Sequence, residues 1–135
     1  MNDELIDQRV LAAARAELGA NFVRILGYFR EDGVKSVRAI EAAMRDQNAT
    51  AMVLPAHTLK GESRQFGAEM LADLAEVIET IARSCVELRD VPTEALEHVA
   101  RLRPTFDATL AMLDRDTNPL ATRRPTGFGK RPVAL

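Results

Sequence analysis

The chain has 135 residues, 47% of them apolar and 28% charged, which is material for one ordinary globular core. Ala, Leu, Glu and Arg are plentiful, aromatics make up only 4% and Trp is absent, a balance that favours helices over strands. The net charge of −2 divides into +4 on residues 117–135, which hold Arg123, Arg124, Lys130 and Arg131 and no acid, and −6 on the rest; a mildly acidic body argues against nucleic acid as the main ligand.

No apolar run approaches the ~20 residues needed to span a bilayer. The acidic start, Met1-Asn2-Asp3-Glu4, lacks the basic and apolar segments of a secretion signal. Cys85, the one cysteine, has no partner for an internal disulfide, and its spacing suits the inner face of a helix. A cytoplasmic setting without a membrane partner is expected.

Residues 3–15 read as a short helix opened by Asp3, with Leu5, Ile6, Val10 and Leu11 as its apolar face. From about residue 19 to 46, Phe22, Leu26, Phe29, Gly33, Val37, Ile40 and Met44 recur every three or four positions, which predicts one long helix. Two helices meeting in a turn at Gly33 are the alternative. Asp46-Gln47-Asn48 is a break, after which Asn48 or Thr50 can cap the next helix.

That next helix turns Met52, Ala56, Leu59, Ser63 and Phe66 inward, and Pro55 is expected to distort or restart its first turn. Leu71, Leu74, Ile78, Ile81, Cys85 and Leu88 then form a seam like that of a helical bundle. Asp90-Val91-Pro92 is a turn. The last helix carries Leu96, Val99, Leu102, Phe106, Leu110 and Leu113, with a bend at Pro104. The pattern predicts an all-α, antiparallel four-helix bundle with a short extra N-terminal helix over residues 1–116, and a flexible basic tail over 117–135.

The stretch from Ala56 to Ala68 stands out from this frame. His57, Lys60, Gly61 and Arg64 fall largely outside the inward face. Lys60 and Gly61 are three and four residues past His57, so both lie beside the imidazole. A glycine inside a helix costs roughly 0.5–1 kcal/mol against alanine. Here the missing side chain leaves room for another body to approach the ring. Gly67 falls where the helix needs its stop. A lone histidine on a helix is ordinarily just a surface residue; the lysine and the glycine beside it are what ask for a function. His98, among Glu94, Glu97 and Arg101, has no such neighbours.

The run Ala56-His57-Thr58-Leu59-Lys60-Gly61, followed by Phe66-Gly67-Ala68, resembles the signature of histidine-containing phosphotransfer (HPt) domains of two-component phosphorelays. Leu71 and the Ile78-Glu79 pair extend the likeness, as, less sharply, do Phe29 and residues 43–48. The resemblance covers about residues 20–115 and is concentrated in 56–68. Glu62 and Arg64 stand where small residues are common in the family, and Pro55 is atypical.

The resemblance implies that His57 is phosphorylated by attack of a neutral ring on the acyl phosphate of a receiver-domain aspartate, while Lys60 offsets phosphoryl charge. It implies that Gly61 admits the receiver's active site. Ser63, Gln65, Gly67 and Glu79 are expected in supporting places, with Glu79 either bonding the other ring nitrogen or simply a solvated glutamate. Val53, Leu54 and Arg64, with Ile25 or Tyr28 of the long helix, are candidates for receiver docking. No metal site or cofactor is expected in this chain, because magnesium would come with the receiver. The partners implied are receiver domains of response regulators or a hybrid histidine kinase, and the protein is expected to be a monomer. No phosphate-cradling glycine loop is present for using ATP, and paired Glu-x-x-His metal motifs are absent, so a phosphoryl carrier without its own kinase activity is expected. A plain helical interaction module is the alternative. Within a relay, the single-domain length favours a free-standing shuttle over the substrate domain of a kinase.

Overall fold

The computed structural model describes residues 4–117. Five α-helices follow one another: α1 (Gln8–Leu18), α2 (Phe22–Arg45), α3 (Ala49–Gln65), α4 (Glu69–Leu88) and α5 (Leu96–Thr117). Short 3-10 turns occupy Gly19–Asn21 and Thr93–Ala95. Helices α2 to α5 make a four-membered ring, with α3 packed between α2 and α4 and with α5 closing against both. Arg103 bonding Glu41, Phe106 lying over Gly33 and Arg30 paired with Asp114 fix α5 antiparallel to α2.

Three phenylalanines hold the centre. Phe29 of α2 lies 5.2 Å from the Phe66 ring and 6.1 Å from the Phe106 ring, and all three are buried. Gly33 resolves the choice between one long helix and two. A Cβ at Gly33 would collide with Cε1 of Phe106, so glycine is required by packing and α2 runs through it unbroken.

The connections are short because three helices stop in the same way. After α3, Ala68 N–H donates to Ser63 O and Gly67 N–H to Arg64 O, the double closure that needs one left-handed residue. Gly67 supplies it with φ +74°. Gln47 (φ +53°) and Arg89 (φ +56°) play the same part after α2 and α4. Of the two expected caps, Asn48 is the one used: its Oδ1 accepts from Ala51 N–H at 3.1 Å.

Several expectations are corrected. The first helix starts at Gln8 and not near residue 3, because the Asp7 carboxylate accepts from Arg9 and Val10 N–H and so caps it there; Leu5 and Ile6 pack against the core from a bent lead-in, with Ile6 buried. Asp3 lies outside the described residues. Pro55 neither restarts nor ends α3, which is continuous around it. Leu88 and Leu96 are exposed, since α4 ends and α5 begins at the open end of the bundle. The inner face of α4 is completed instead by Ala72, Ala75 and Ala82, and that of α5 by Thr109. α5 likewise passes through Pro104 and continues to Thr117; the expected tail beyond it lies outside the described residues.

Candidate functional site

Helix α3 presents His57, Lys60 and Arg64 along the edge it shares with α4, and α4 answers with Glu79, Arg83 and Glu76. Inward packing of Ala56, Leu59 and Ser63 sets that rotation, since all three are buried. The ring of His57 is 55% exposed, while the Glu79 side chain below it is 7% exposed.

Glu79 is the hub. Its Oε2 lies 3.0 Å from His57 Nδ1, and its Oε1 lies 2.8 Å from Lys60 Nζ. Arg83, one turn further along α4, donates to Oε2 from Nε at 2.9 Å and approaches it with Nη2 at 2.8 Å. Burial alone pushes the Glu79 carboxyl up, but the hydrogen bonds from Lys60, Arg83 and His57 outweigh it and hold the group down at about 2. Glu79 is therefore an anion throughout the neutral range and can only accept. The ring nitrogen facing it must carry the hydrogen, which leaves Nε2 as the free lone pair on a neutral ring. Nε2 has no protein partner among the described residues.

Gly61 lies one turn beyond on the exposed side of α3, and a Cβ built there meets nothing within 4 Å. No packing among the described residues calls for glycine at that position, in contrast to Gly33. Leu54, one turn before His57, is 70% exposed and offers an apolar surface beside the ring. Tyr28 is also exposed, but its neighbour Phe29 packs on Phe66, so it stands near the C-terminal end of α3.

Other expected site residues are placed elsewhere. Ser63 is fully buried, its hydroxyl without a hydrogen-bond partner among the described residues. Gly67 serves the stop of α3 and the seating of α1: its carbonyl accepts from Asp7 N–H at 2.7 Å, and a Cβ would come within 2.6 Å of Asp7 O. Val53 and Ile25 are half-buried against the core. Gln65 is exposed at the last position of α3. Arg64 bonds Glu69 at 2.8 Å, Asp73 at 3.4 Å and Glu76 at 2.6 Å, all on α4. Glu62 turns toward α2, where burial and then the hydrogen bond and charge of Asp32 push its carboxyl up to about 7.

Arg83 escaped the sequence reading altogether. Its signal was available, for a cation four residues after a glutamate on a helix stands beside it.

A sequence model of the Hpt domain matches residues 24–115. The chain belongs to the Hpt domain family. The crystal structure of histidine-containing phosphotransfer protein B (HptB) from Pseudomonas aeruginosa is similar to this Hpt domain over 85% of the present chain and 96% of its own, with 25% sequence identity and a TM-score of 0.75. No curated protein matches the sequence. Among the described residues of this Hpt domain, no helix is long and apolar enough to cross a membrane, and no three His, Cys, Asp or Glu side chains gather as a metal site would require.

Proposed function

We infer that this Hpt domain protein carries phosphoryl groups in a phosphorelay, and that His57 is the residue that holds them. The observation that carries the reading is the pairing of Nδ1 with a buried carboxylate, which leaves Nε2 as an exposed nucleophile on a half-exposed ring.

In the reaction, the Nε2 lone pair attacks the phosphorus of an aspartyl phosphate on a receiver domain. The P–O bond to the aspartate breaks, and its electrons leave with the receiver's carboxylate. The ring becomes a phosphoryl-imidazolium whose Nδ1–H remains on Glu79. Transfer onward reverses these steps toward a second aspartate, and the retained Nδ1 proton lets the ring depart as neutral imidazole. Such transfers depend on positioning and charge balance more than on covalent work by the protein. Lys60, 2.8 Å from Glu79 and one turn from His57, supplies positive charge at the edge where phosphoryl oxygens arrive. Gly61 and Leu54 form the bare and apolar ground on which the receiver closes. Magnesium belongs to the acidic pocket of the receiver, so the protein is a carrier that draws its phosphate from partners.

The test uses two receivers in succession. Incubation with a radiolabelled phospho-receiver should label this protein, and a fresh receiver added afterwards should take the label away. His57→Gln should break both steps. A folded wild-type protein that takes no label from a broad set of receivers would instead support a helical interaction module.

A further inference from the structure

We propose that a groove on the outer face of α4 seats this chain's own residues 118–135, and that a receiver competes with them for the edge that carries His57. The competition rests on the reading of His57 as the phosphoryl acceptor; the docking does not.

The groove is lined by Asp73, Glu76, Val77, Thr80 and Ile81. Its floor is apolar, with Ile81 partly buried against the core and Val77 exposed. Its wall is acidic. The Asp73 and Glu76 side chains are 69% and 53% exposed although both bond Arg64. Arg64 bonds Glu69 as well, so three carboxylates share one guanidinium and two negative charges are left in excess around it. A carboxylate accepts several hydrogen bonds, so Asp73 and Glu76 can each take a further donor. An apolar floor beside an acidic wall fits a basic segment with apolar side chains between its charges.

Residues 118–135 have that chemistry. They hold Arg123, Arg124, Lys130 and Arg131 and no acid, with Leu120 and Phe128 among them. They also begin in the right place. Phe29 packs on Phe66 and Arg30 pairs with Asp114, so the end of α5 and the turn that opens α4 lie at the same end of the bundle. Asp73 and Glu76 stand four and seven residues past Glu69, the first residue of α4, or about 6 and 10 Å along its axis. Arg123 is six residues past Thr117, where α5 ends. That is an extended reach of about 20 Å, enough for the rise along α4 and the width of a helix.

A segment docked there shares ground with a receiver. Thr80 follows Glu79, whose carboxylate is 3.0 Å from the His57 ring, and Glu76 bonds Arg64, two turns along α3. A standard interface covers about 800 Å² on each partner, a patch of about 16 Å radius. Centred on His57, such a patch takes in Thr80 and Glu76, so the two occupants exclude each other.

The experiment uses the ¹⁵N-labelled full chain as wild type, Arg123→Gln/Arg124→Gln and Val77→Lys, and reads each substitution on the opposite side of the contact. The arginine pair should move the amide signals of residues 73–81. Val77→Lys, which sets a cation at an exposed position of the floor, should move those of residues 118–135. Both shifts should be the same at every protein concentration. Binding is weakened by the fraction of molecules whose edge is covered, so the arginine variant should accept label from a phospho-receiver about 2- to 5-fold faster than wild type. Signals that stay in place overturn the docking. Signals that move only as the concentration rises put the segment on a second copy and overturn it too. Moved signals with an unchanged or slower rate overturn the competition. Moved signals in a chain whose wild type accepts no label overturn the phosphotransfer reading and leave the docking standing.

Discussion

Gly61→Ala separates folding from partner approach in a single substitution. Gly61 is exposed, lies within α3 and, among the described residues, has nothing within 4 Å of where a Cβ would stand, so the added methyl meets no clash there. The intramolecular consequence is the gain in helix propensity, and the variant should be more stable by about 0.5–1 kcal/mol. The same methyl protrudes one turn from the nucleophile, on the surface where a receiver must close. Phosphoryl transfer requires the reacting atoms to approach to about 3–3.5 Å, and a displacement of about 1 Å costs up to about 100-fold. The rate of label transfer from a phospho-receiver should therefore fall about 10- to 100-fold while the urea midpoint rises. A variant that is more stable and transfers at the wild-type rate would refute the role given to Gly61. One that is destabilised would refute the reading of open space above it.

Gly33→Ala should do the reverse. Its Cβ would strike the Phe106 ring, and overpacking of this kind costs about 1–3 kcal/mol, readable as a lower urea midpoint. Glu79→Ala removes the acceptor of Nδ1–H and should slow transfer about 10-fold or more; an unchanged rate would show that the carboxylate does not orient the ring. Glu62 yields a pH test. Its folded-state value is raised from 4.5 to about 7, so the folded chain holds that proton more tightly than the unfolded chain, and the stability it contributes is lost as pH rises through this range. Glu62→Gln should accordingly stabilise the protein by about 1 kcal/mol at pH 8, a figure discounted for the group's contact with solvent. The gain should shrink below pH 7 and vanish by about pH 4, as followed by urea denaturation.

The parts of this protein legible in its sequence are those that depend on spacing along a helix. The stripe from Phe22 to Met44, the inward set from Met52 to Phe66 and the grouping of His57, Lys60 and Gly61 all follow from positions three and four apart. What could not be read depends on packing between helices. Gly33 could be taken for a hinge until Phe106, from another helix, was seen to fill its space. All three breaks are legible, but two of the left-handed helix stops use Gln47 and Arg89, which carry no glycine signal, so only at Gly67 does the residue itself announce the left-handed closure. The ion pairs of Arg64 are of the same kind, because its three acidic partners lie on the neighbouring helix. Ser63 and Gly67 sit inside the motif but serve the core and the α1 contact. Arg83 lies outside it and reaches the site through Glu79.

The most direct measurement is the chemical stability and location of the label after exposure to a phosphorylated receiver. An acid-labile, alkali-stable label on wild type that is absent from a folded His57→Gln variant is the predicted result. A label that persists in His57→Gln, or that resists acid as a phosphate ester does, would contradict the assignment of His57 as the phosphoryl carrier.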